Sequence, residues 1–211
     1  MKKYIYLALS LVALTACSLD KDPISEFNEK NTTAEGKSSS AIETKAQMQT
    51  RYEAIYAFVR GSAQEFWTLD FLQNTETRAD NAYAGTSGVE ITSIEQNSQD
   101  ASNGNIKRDW QKYLEGINLA NVVMANVDKV PDASLTTTER KQWKAEAKIL
   151  KAWLLFDMVR FWGAVPIPPI EVPEISSENV EETYKLLFPE RTSVAEVYNI
   201  IRTNLEEALV D

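Results

Sequence analysis

The chain has 211 residues and a formal net charge of −9, arising from 22 basic and 31 acidic side chains. Because no basic patch with interleaved aromatic residues occurs, nucleic acid is not expected as a partner. The sequence contains no histidine and no glycine-rich phosphate loop, so it predicts no Ser-His-Asp or Cys-His arrangement, no metal site and no cofactor.

The first 16 residues have the pattern of a lipoprotein signal peptide. Lys2 and Lys3 form a positive start, and residues 4–13 form an apolar core that is too short to span a bilayer. The run Leu-Thr-Ala-Cys that follows resembles a bacterial lipobox, in which Cys17 is lipidated. The alternative is an ordinary signal peptide with an incidental cysteine. The position of the chain's single cysteine at the predicted cleavage point favours the lipid anchor.

Residues 17–40 are polar and contain very few large apolar side chains. Such a composition cannot bury enough surface to offset the entropy lost on ordering. We therefore predict a flexible tether between the lipidated cysteine and a folded domain over residues 41–211.

The first helix of that domain is predicted over residues 42–59. Tyr52, Ile55 and Val59 fall near one face at helical spacing, and Gly61 is a suitable stop. A second, stronger helix is predicted over residues 106–130.

The second helix is followed, after a short link, by a third over residues 139–162. Two long helices joined in this way should pack antiparallel as a hairpin. Apolar side chains surround the second half of the third helix, so it must be covered by other helices.

Both ends of this third helix carry recognisable signals. Thr136 and Glu139 are spaced as a capping box at its start. Gly163 can take the left-handed conformation that ends a helix, and the prolines after it force an extended exit. The sequence therefore predicts the central helix of the domain core here.

Ser193 and Glu196 form another capping box pattern, which opens a helix with Val197, Ile201 and Leu205 on one face. No segment shows the alternation of a half-buried strand. These patterns together predict an all-α domain.

Residues 81–105 interrupt the helical pattern. They are rich in Asn, Gly and Ser, and we expect them to be the longest irregular stretch inside the domain. A loop of this length is uncommon unless it has a function or is mobile.

The central helix also carries a family resemblance. Its Ala145-Glu146-Ala147 and Leu150-Lys151-Ala152, followed by Gly163 and Val165-Pro166-Ile167, resemble the corresponding segment of the SusD/RagB family of nutrient-uptake outer-membrane lipoproteins. Lys151 stands where the family usually has arginine, so a bidentate ion pair is not expected there. The preceding helix is similar to the family pattern at Trp110, Tyr113, Ile117, Ala120 and Asn121.

The resemblance implies antiparallel helix pairs of tetratricopeptide-like solenoid type with long irregular loops. The strict 34-residue repeat pattern is not reproduced. Since family members are more than twice as long, the chain is expected to correspond to their N-terminal part and to be truncated.

The resemblance also implies a role. A lipid-anchored protein of the outer membrane, facing outward, would capture an oligosaccharide or polysaccharide and pass it to a SusC-like TonB-dependent outer-membrane transporter. The alternative is a helical-repeat lipoprotein that scaffolds a protein complex and binds no sugar.

Sugars are bound by aromatic faces together with amide, carboxylate and arginine groups. The resemblance places glycan contacts partly between the first helices and the Trp110 helix, in this sequence at Trp67, Arg78, Asp80, Asn81 and Tyr83, with Asn97 and Asn103 as further candidates.

Each candidate has a structural alternative. Trp67 lies in an apolar run that is typical of a core. Arg78 and Asp80 could pair on the surface, and the asparagines are common turn residues. Tyr83, an aromatic residue in a Gly/Ser-rich loop, is the best single candidate.

Catalysis by paired carboxylates is not expected. Glu65 with Asp70, or Glu76 with Asp80, would have to face each other across a bond at a set separation. The spacing shows neither this nor a raised pKa, and an acidic helical surface explains these residues. We therefore predict a binding protein and not an enzyme.

Overall fold

The computed structural model describes residues 41–173, 175–176 and 178–211. The predicted signal peptide, Cys17 and the tether over residues 17–40 lie outside this part. Within it the chain forms seven α-helices: α1 Lys45–Gly61, α2 Asp70–Leu72, α3 Val89–Glu95, α4 Gly104–Asn126, α5 Thr137–Trp162, α6 Val180–Leu187 and α7 Val194–Ala208.

Two π-helical turns, Gln64–Thr68 and Gln73–Thr77, flank the single turn of α2. We call residues 64–77 the π segment. The described residues contain one small sheet, in which β1 (Val165–Pro166) pairs antiparallel with β2 (Arg191–Thr192). The predicted all-α class is therefore confirmed.

The predicted hairpin of α4 and α5 is present. Lys144 lies 2.6 Å from Asp128 at one end, and Lys151 donates to Asn121 at 2.7 Å nearer the middle. The contact partner of a later residue in α5 is an earlier residue in α4, so the two helices are antiparallel.

Neighbouring helices extend the same arrangement. The backbone N–H of Lys45 donates to Asp132 beyond the end of α4, whereas Phe58 at the other end of α1 approaches Gly116, so α1 runs antiparallel to α4. Antiparallel packing of α7 on α5 follows from the ring contact between Phe156 and Tyr198 and the ion pair of Lys148 with Glu207.

Two apolar clusters form the interior. One joins α1 to the end of the hairpin nearest the link between α4 and α5, and the other joins the π segment and α7 to the opposite end of the hairpin. Their largest fully buried side chains are Met48, Ile55, Phe66, Tyr113, Ile117, Val123, Val127, Leu154, Leu155 and Met158.

The central helix α5 has the predicted ends. Thr136 Oγ1 accepts from the backbone N–H of Glu139 at 3.2 Å, and the Glu139 carboxylate accepts from the backbone N–H of Thr136 at 3.0 Å. Gly163 ends the helix with φ +69° and ψ −124°. The positive φ was predicted, but this ψ corresponds to the mirror image of an extended residue and not to a left-handed helical turn.

Some local predictions need correction. The stretch 81–105 is not irregular throughout, because it contains α3, whose Ile94 is fully buried. At Ser193 the hydroxyl accepts from the Glu196 N–H, but the reciprocal contact of a capping box is not formed. Helix α6 was not predicted.

None of the helices in the described part of the chain is both long enough and apolar enough to cross a lipid bilayer.

Candidate functional site

Tyr83 projects from the loop between the π segment and α3. Its side chain is 79% exposed and makes no hydrogen bond or ring contact with the described residues. The adjacent backbone N–H of Ala84 lies 3.4 Å from Glu95 Oε1 and donates to it, which holds the loop beside α3. The Tyr83 ring is therefore available to stack on a ligand.

Arg78 and Asn97 form a reciprocal contact next to this loop. Arg78 Nε donates to Asn97 Oδ1 at 2.8 Å, and Asn97 Nδ2 donates to the Arg78 carbonyl at 3.4 Å. With its amide oxygen turned toward Arg78, Gln99 accepts from both terminal guanidinium nitrogens at 3.0 Å. These contacts fix the orientation of an exposed guanidinium.

The alternative pairing of Arg78 with Asp80 does not occur, since no ion pair joins them in the residues that the structure describes. Asp80 has φ +60° and Asn97 has φ +54°, a region that Asp and Asn tolerate better than most residues. Both therefore also shape turns, as the structural alternative suggested for asparagine.

Asn81 Nδ2 donates to Glu76 Oε2 at 3.0 Å, and its backbone N–H donates to the Glu76 carbonyl. Asn81 remains exposed. Its amide is thus tethered at the surface with its oxygen still able to accept.

Trp67 lies apart from this group. Its ring stacks on Trp153 of α5, with centroids 4.8 Å apart and planes 19° apart, and it meets Phe66 edge-on. It is 42% exposed, so it is the outer member of an aromatic stack and not a fully buried core residue.

Asn103 is saturated by structural contacts. Its Oδ1 accepts from the backbone N–H groups of Asn105 and Ile106, which caps α4. Its Nδ2 donates to the Glu90 carbonyl and to Ser93 Oγ. A primary amide has two donors and two acceptor sites, so no capacity for a ligand is left.

A polar cavity of about 380 Å³, which was not predicted, lies between α3 and the loop that follows it. Its lining residues are Val89, Glu90, Ser93, Ser98, Gln99, Asp100, Ser102 and Asn103. Gln99 links it to Arg78, so the cavity adjoins the Arg78–Asn97 contact. Because helix α3 was not predicted, no sequence pattern indicated that Glu90 and Ser93 would meet the residues after 97.

A buried charged cluster lies where the π segment meets α4. Arg108 donates to Asp70, and its guanidinium nitrogens lie 3.7 Å from Glu65 Oε1 and 3.7 Å from Asp109 Oδ1. Asn74 Nδ2 donates to Asp109 Oδ2 at 3.4 Å. Burial, together with the adjacent Asp70, raises the pKa of Asp109 to about 8.

Glu65 and Asp70, one of the two carboxylate pairs that hydrolysis would require, both contact Arg108 in this cluster. Glu76, from the other pair, holds Asn81. In the described residues no group of three His, Cys, Asp or Glu side chains is placed to hold a metal ion.

A lipobox sequence followed along the chain by a domain of antiparallel helices defines the class of helical lipoproteins. Residues 33–210 match the SusD-like family model described as starch-binding associating with outer membrane, and the chain belongs to this family. Residues 1–18 match the prokaryotic membrane lipoprotein lipid attachment site, which supports lipidation at Cys17 and a lipid-anchored outer-membrane location.

Among solved structures, the chain is similar to surface glycan-binding protein A from Bacteroides fluxus, with 21% sequence identity and a TM-score of 0.58. The match covers 79% of this chain and 33% of that protein, so the chain spans about a third of its length. The likeness confirms the helical fold. No curated protein matches the chain.

Proposed function

We propose that this chain is the glycan-contacting helical part of a surface lipoprotein that captures oligosaccharides. The observation that carries the proposal is the exposed Tyr83 ring beside the fixed Arg78–Asn97 contact, in a chain whose family is described as starch-binding. Aromatic faces and fixed polar groups in one place are what sugar rings require.

In this proposal the Tyr83 ring packs on the C–H face of one sugar. Arg78, Asn81 and Asp80 then bond hydroxyl groups at its rim, and the cavity behind Asn97 accepts a neighbouring unit. Trp67 belongs to a separate surface, so it would contact only a longer glycan. The chain acts by binding and does not cleave the sugar.

The proposal extends to the partner. A glycan captured at the outer surface can be used by the cell only if a channel imports it. The resemblance implies that this channel is a SusC-like TonB-dependent transporter. The support is the lipid attachment site and the family description.

A protein-binding scaffold is the second candidate, and one observation favours it. The outer face of α5 and α7 forms a groove of about 720 Å³, lined largely by apolar side chains such as Ile149, Phe156 and Leu205. An apolar groove suits a helix of another protein better than a hydroxyl-rich sugar.

Calorimetry or affinity electrophoresis of the purified full chain against a panel of glycans, including malto-oligosaccharides, tests the proposal. Tyr83→Ala should weaken binding about five- to tenfold, because loss of one aromatic stack removes about 1 kcal/mol. Tyr184→Ala is the matched control, since Tyr184 is also exposed (61%) but lies on α6.

Equal weakening by both variants would argue against a site at Tyr83. Absence of binding to every glycan, together with co-purification of a partner other than a transporter, would favour the scaffold.

A further inference from the structure

The buried charged cluster between the π segment and α4 contains more negative charge than its arginine can neutralise. Three carboxylates, Glu65, Asp70 and Asp109, surround Arg108. The side chains of Asp70 and Asp109 are only 2% and 3% exposed, so water screens their charges poorly. An uncompensated buried carboxylate is strongly unfavourable.

Four polar atoms of this cluster have no hydrogen-bond partner in the described residues: Glu65 Oε2, Arg108 Nε and the two aspartate oxygens Asp70 Oδ1 and Asp109 Oδ1. Asp70 uses its other oxygen to accept from Arg108, and Asp109 uses its other oxygen to accept from Asn74. Arg108 Nη2 contacts Asp70 Oδ2 and lies 3.7 Å from Asp109 Oδ1, so the two aspartate carboxyl groups flank one nitrogen atom. A proton held between them would give both aspartate oxygens a partner, because one carboxyl then donates and the other accepts. Two carboxylates that share one site do not both ionise.

The groups around this carboxyl pair, Asp70 and Asp109, also favour a retained proton. Glu90 of α3 lines the same cavity of about 460 Å³ as Asp70 and Arg108. Tyr113 follows Asp109 by one helical turn and approaches Asp157 of α5, which is paired with Arg160. The charges of Asp157 and Arg160 therefore largely cancel, and Glu65 and Glu90 add to the negative side.

We propose that the carboxyl pair shares one proton that attaches the π segment to α4, and that release of this proton above neutral pH detaches the segment. The two members of the pair come from the two elements that they join: Asp70 from the π segment and Asp109 from α4. With both ionised, repulsion acts directly across this contact and opposes the packing of Phe66, the buried ring of the π segment, on Tyr113 of α4.

The device has a consequence for the surface. Trp67 lies in the π segment, and the same segment leads into Arg78 and Tyr83. Detachment would therefore disorder all three of these candidate glycan contacts at alkaline pH. The proton-sharing itself does not depend on whether a sugar binds.

Carbon-13 NMR of the full chain with labelled aspartate carboxyl groups tests the shared proton directly. One carboxyl resonance should titrate near pH 8, as the raised pKa of Asp109 requires, and it should be absent in Asp109→Asn. Titration of every aspartate below pH 5 in the folded protein would overturn the proposal.

Hydrogen exchange at pH 6 and pH 9, corrected for the intrinsic rate, tests the detachment. Amide protection over residues 64–77 should fall on the order of tenfold in the wild type, because pH 9 is one unit above that pKa. It should fall less than about twofold in Asp109→Asn, whose amide remains a donor to Asp70 at any pH.

Asp128→Asn is the matched control, since Asp128 follows the end of α4 but is exposed and paired with Lys144; it should behave like the wild type. An equal loss of protection along α4 and α5, or the same loss in Asp109→Asn, would show that no local device exists.

Discussion

The α4–α5 hairpin and residues 64–105 lie side by side but have interiors of different chemistry. The hairpin buries aliphatic side chains completely, among them Ile117 and Leu154. In residues 64–105 several large apolar side chains stay exposed, such as Leu72 and Val89, while Asp70 and Gln73 are buried.

The difference shows how one domain can combine a stable interior with a surface of fixed polar groups, which the proposed glycan site requires. Apolar burial is non-directional and adds up along a helix. Polar contacts are directional, so each one fixes a single group, as Asn97 fixes Arg78. The hairpin therefore stabilises the fold, and residues 64–105 hold individual side chains at the surface.

The largest expected effect comes from Gly116 of α4, which lies against both Phe58 of α1 and Leu154 of α5. A Cβ atom at Gly116 would lie 2.5 Å from a ring carbon of Phe58 and 2.7 Å from a methyl carbon of Leu154. Gly116→Val should therefore lower the free energy of unfolding by about 3 kcal/mol, as overpacking forces the helices apart. Urea denaturation measures the loss.

Gly61→Ala is the control, because a Cβ there meets no atom within 4 Å. Its stability should equal or exceed that of the wild type. A Gly116→Val protein as stable as the wild type would mean that α1 does not pack against the hairpin as described.

The hairpin also buries polar side chains, among them Asp109, Asn121 and Lys151, and the last of these gives the second prediction. Lys151 is 3% exposed and donates to Asn121, and burial lowers its pKa to about 8 from 10.5 in the unfolded chain. Between these values the unfolded chain binds more protons than the folded one, so stability should rise with pH, by up to about 3 kcal/mol.

Lys151→Met should remove this rise, since it keeps the side-chain volume and has no titratable group. Chemical denaturation at pH 7.5 and pH 10 compares the two proteins. An identical pH dependence in both would mean that Lys151 is not desolvated in the folded state.

The same contrast explains how much the sequence could predict. The hairpin, the Thr136 cap and the Gly163 stop follow from periodicity and local chemistry, which act between residues a few positions apart. The residues of the polar region meet over longer separations, and no period marks them.

The candidate site shows this in detail. The sequence could single out Tyr83 as a candidate, because an aromatic residue in a Gly/Ser-rich loop is unusual. The pairing of Arg78 with Asn97, 19 positions away, could not be predicted from the sequence. The hydrogen bonds by which Asn103 caps α4 could not be predicted either. The carboxyl pair was missed because Asp70 and Asp109 meet only after the π segment folds on α4.

A smaller effect is expected at the end of the central helix. Gly163 has φ +69°, and a Cβ there would meet no atom within 4 Å, so Gly163→Ala tests backbone strain alone. It should lower the free energy of unfolding by about 1–2 kcal/mol. Gly88→Ala is the comparison, because Gly88 has φ −64° and an added Cβ makes ordinary contact with Thr86; equal losses would rule out strain as the cause.

The smallest effect on stability, and the sharpest separation of the two regions, is expected at Asn81. The side chain is exposed and donates to Glu76 at 3.0 Å, so Asn81→Ala should change the free energy of unfolding by less than about 0.5 kcal/mol. Glycan affinity should nevertheless fall severalfold, because the amide would no longer bond a hydroxyl. Denaturation and calorimetry on one sample measure both quantities. A variant that loses stability without losing affinity would place Asn81 in the scaffold, and the division between a stabilising hairpin and a binding surface would then fail at its most exposed residue.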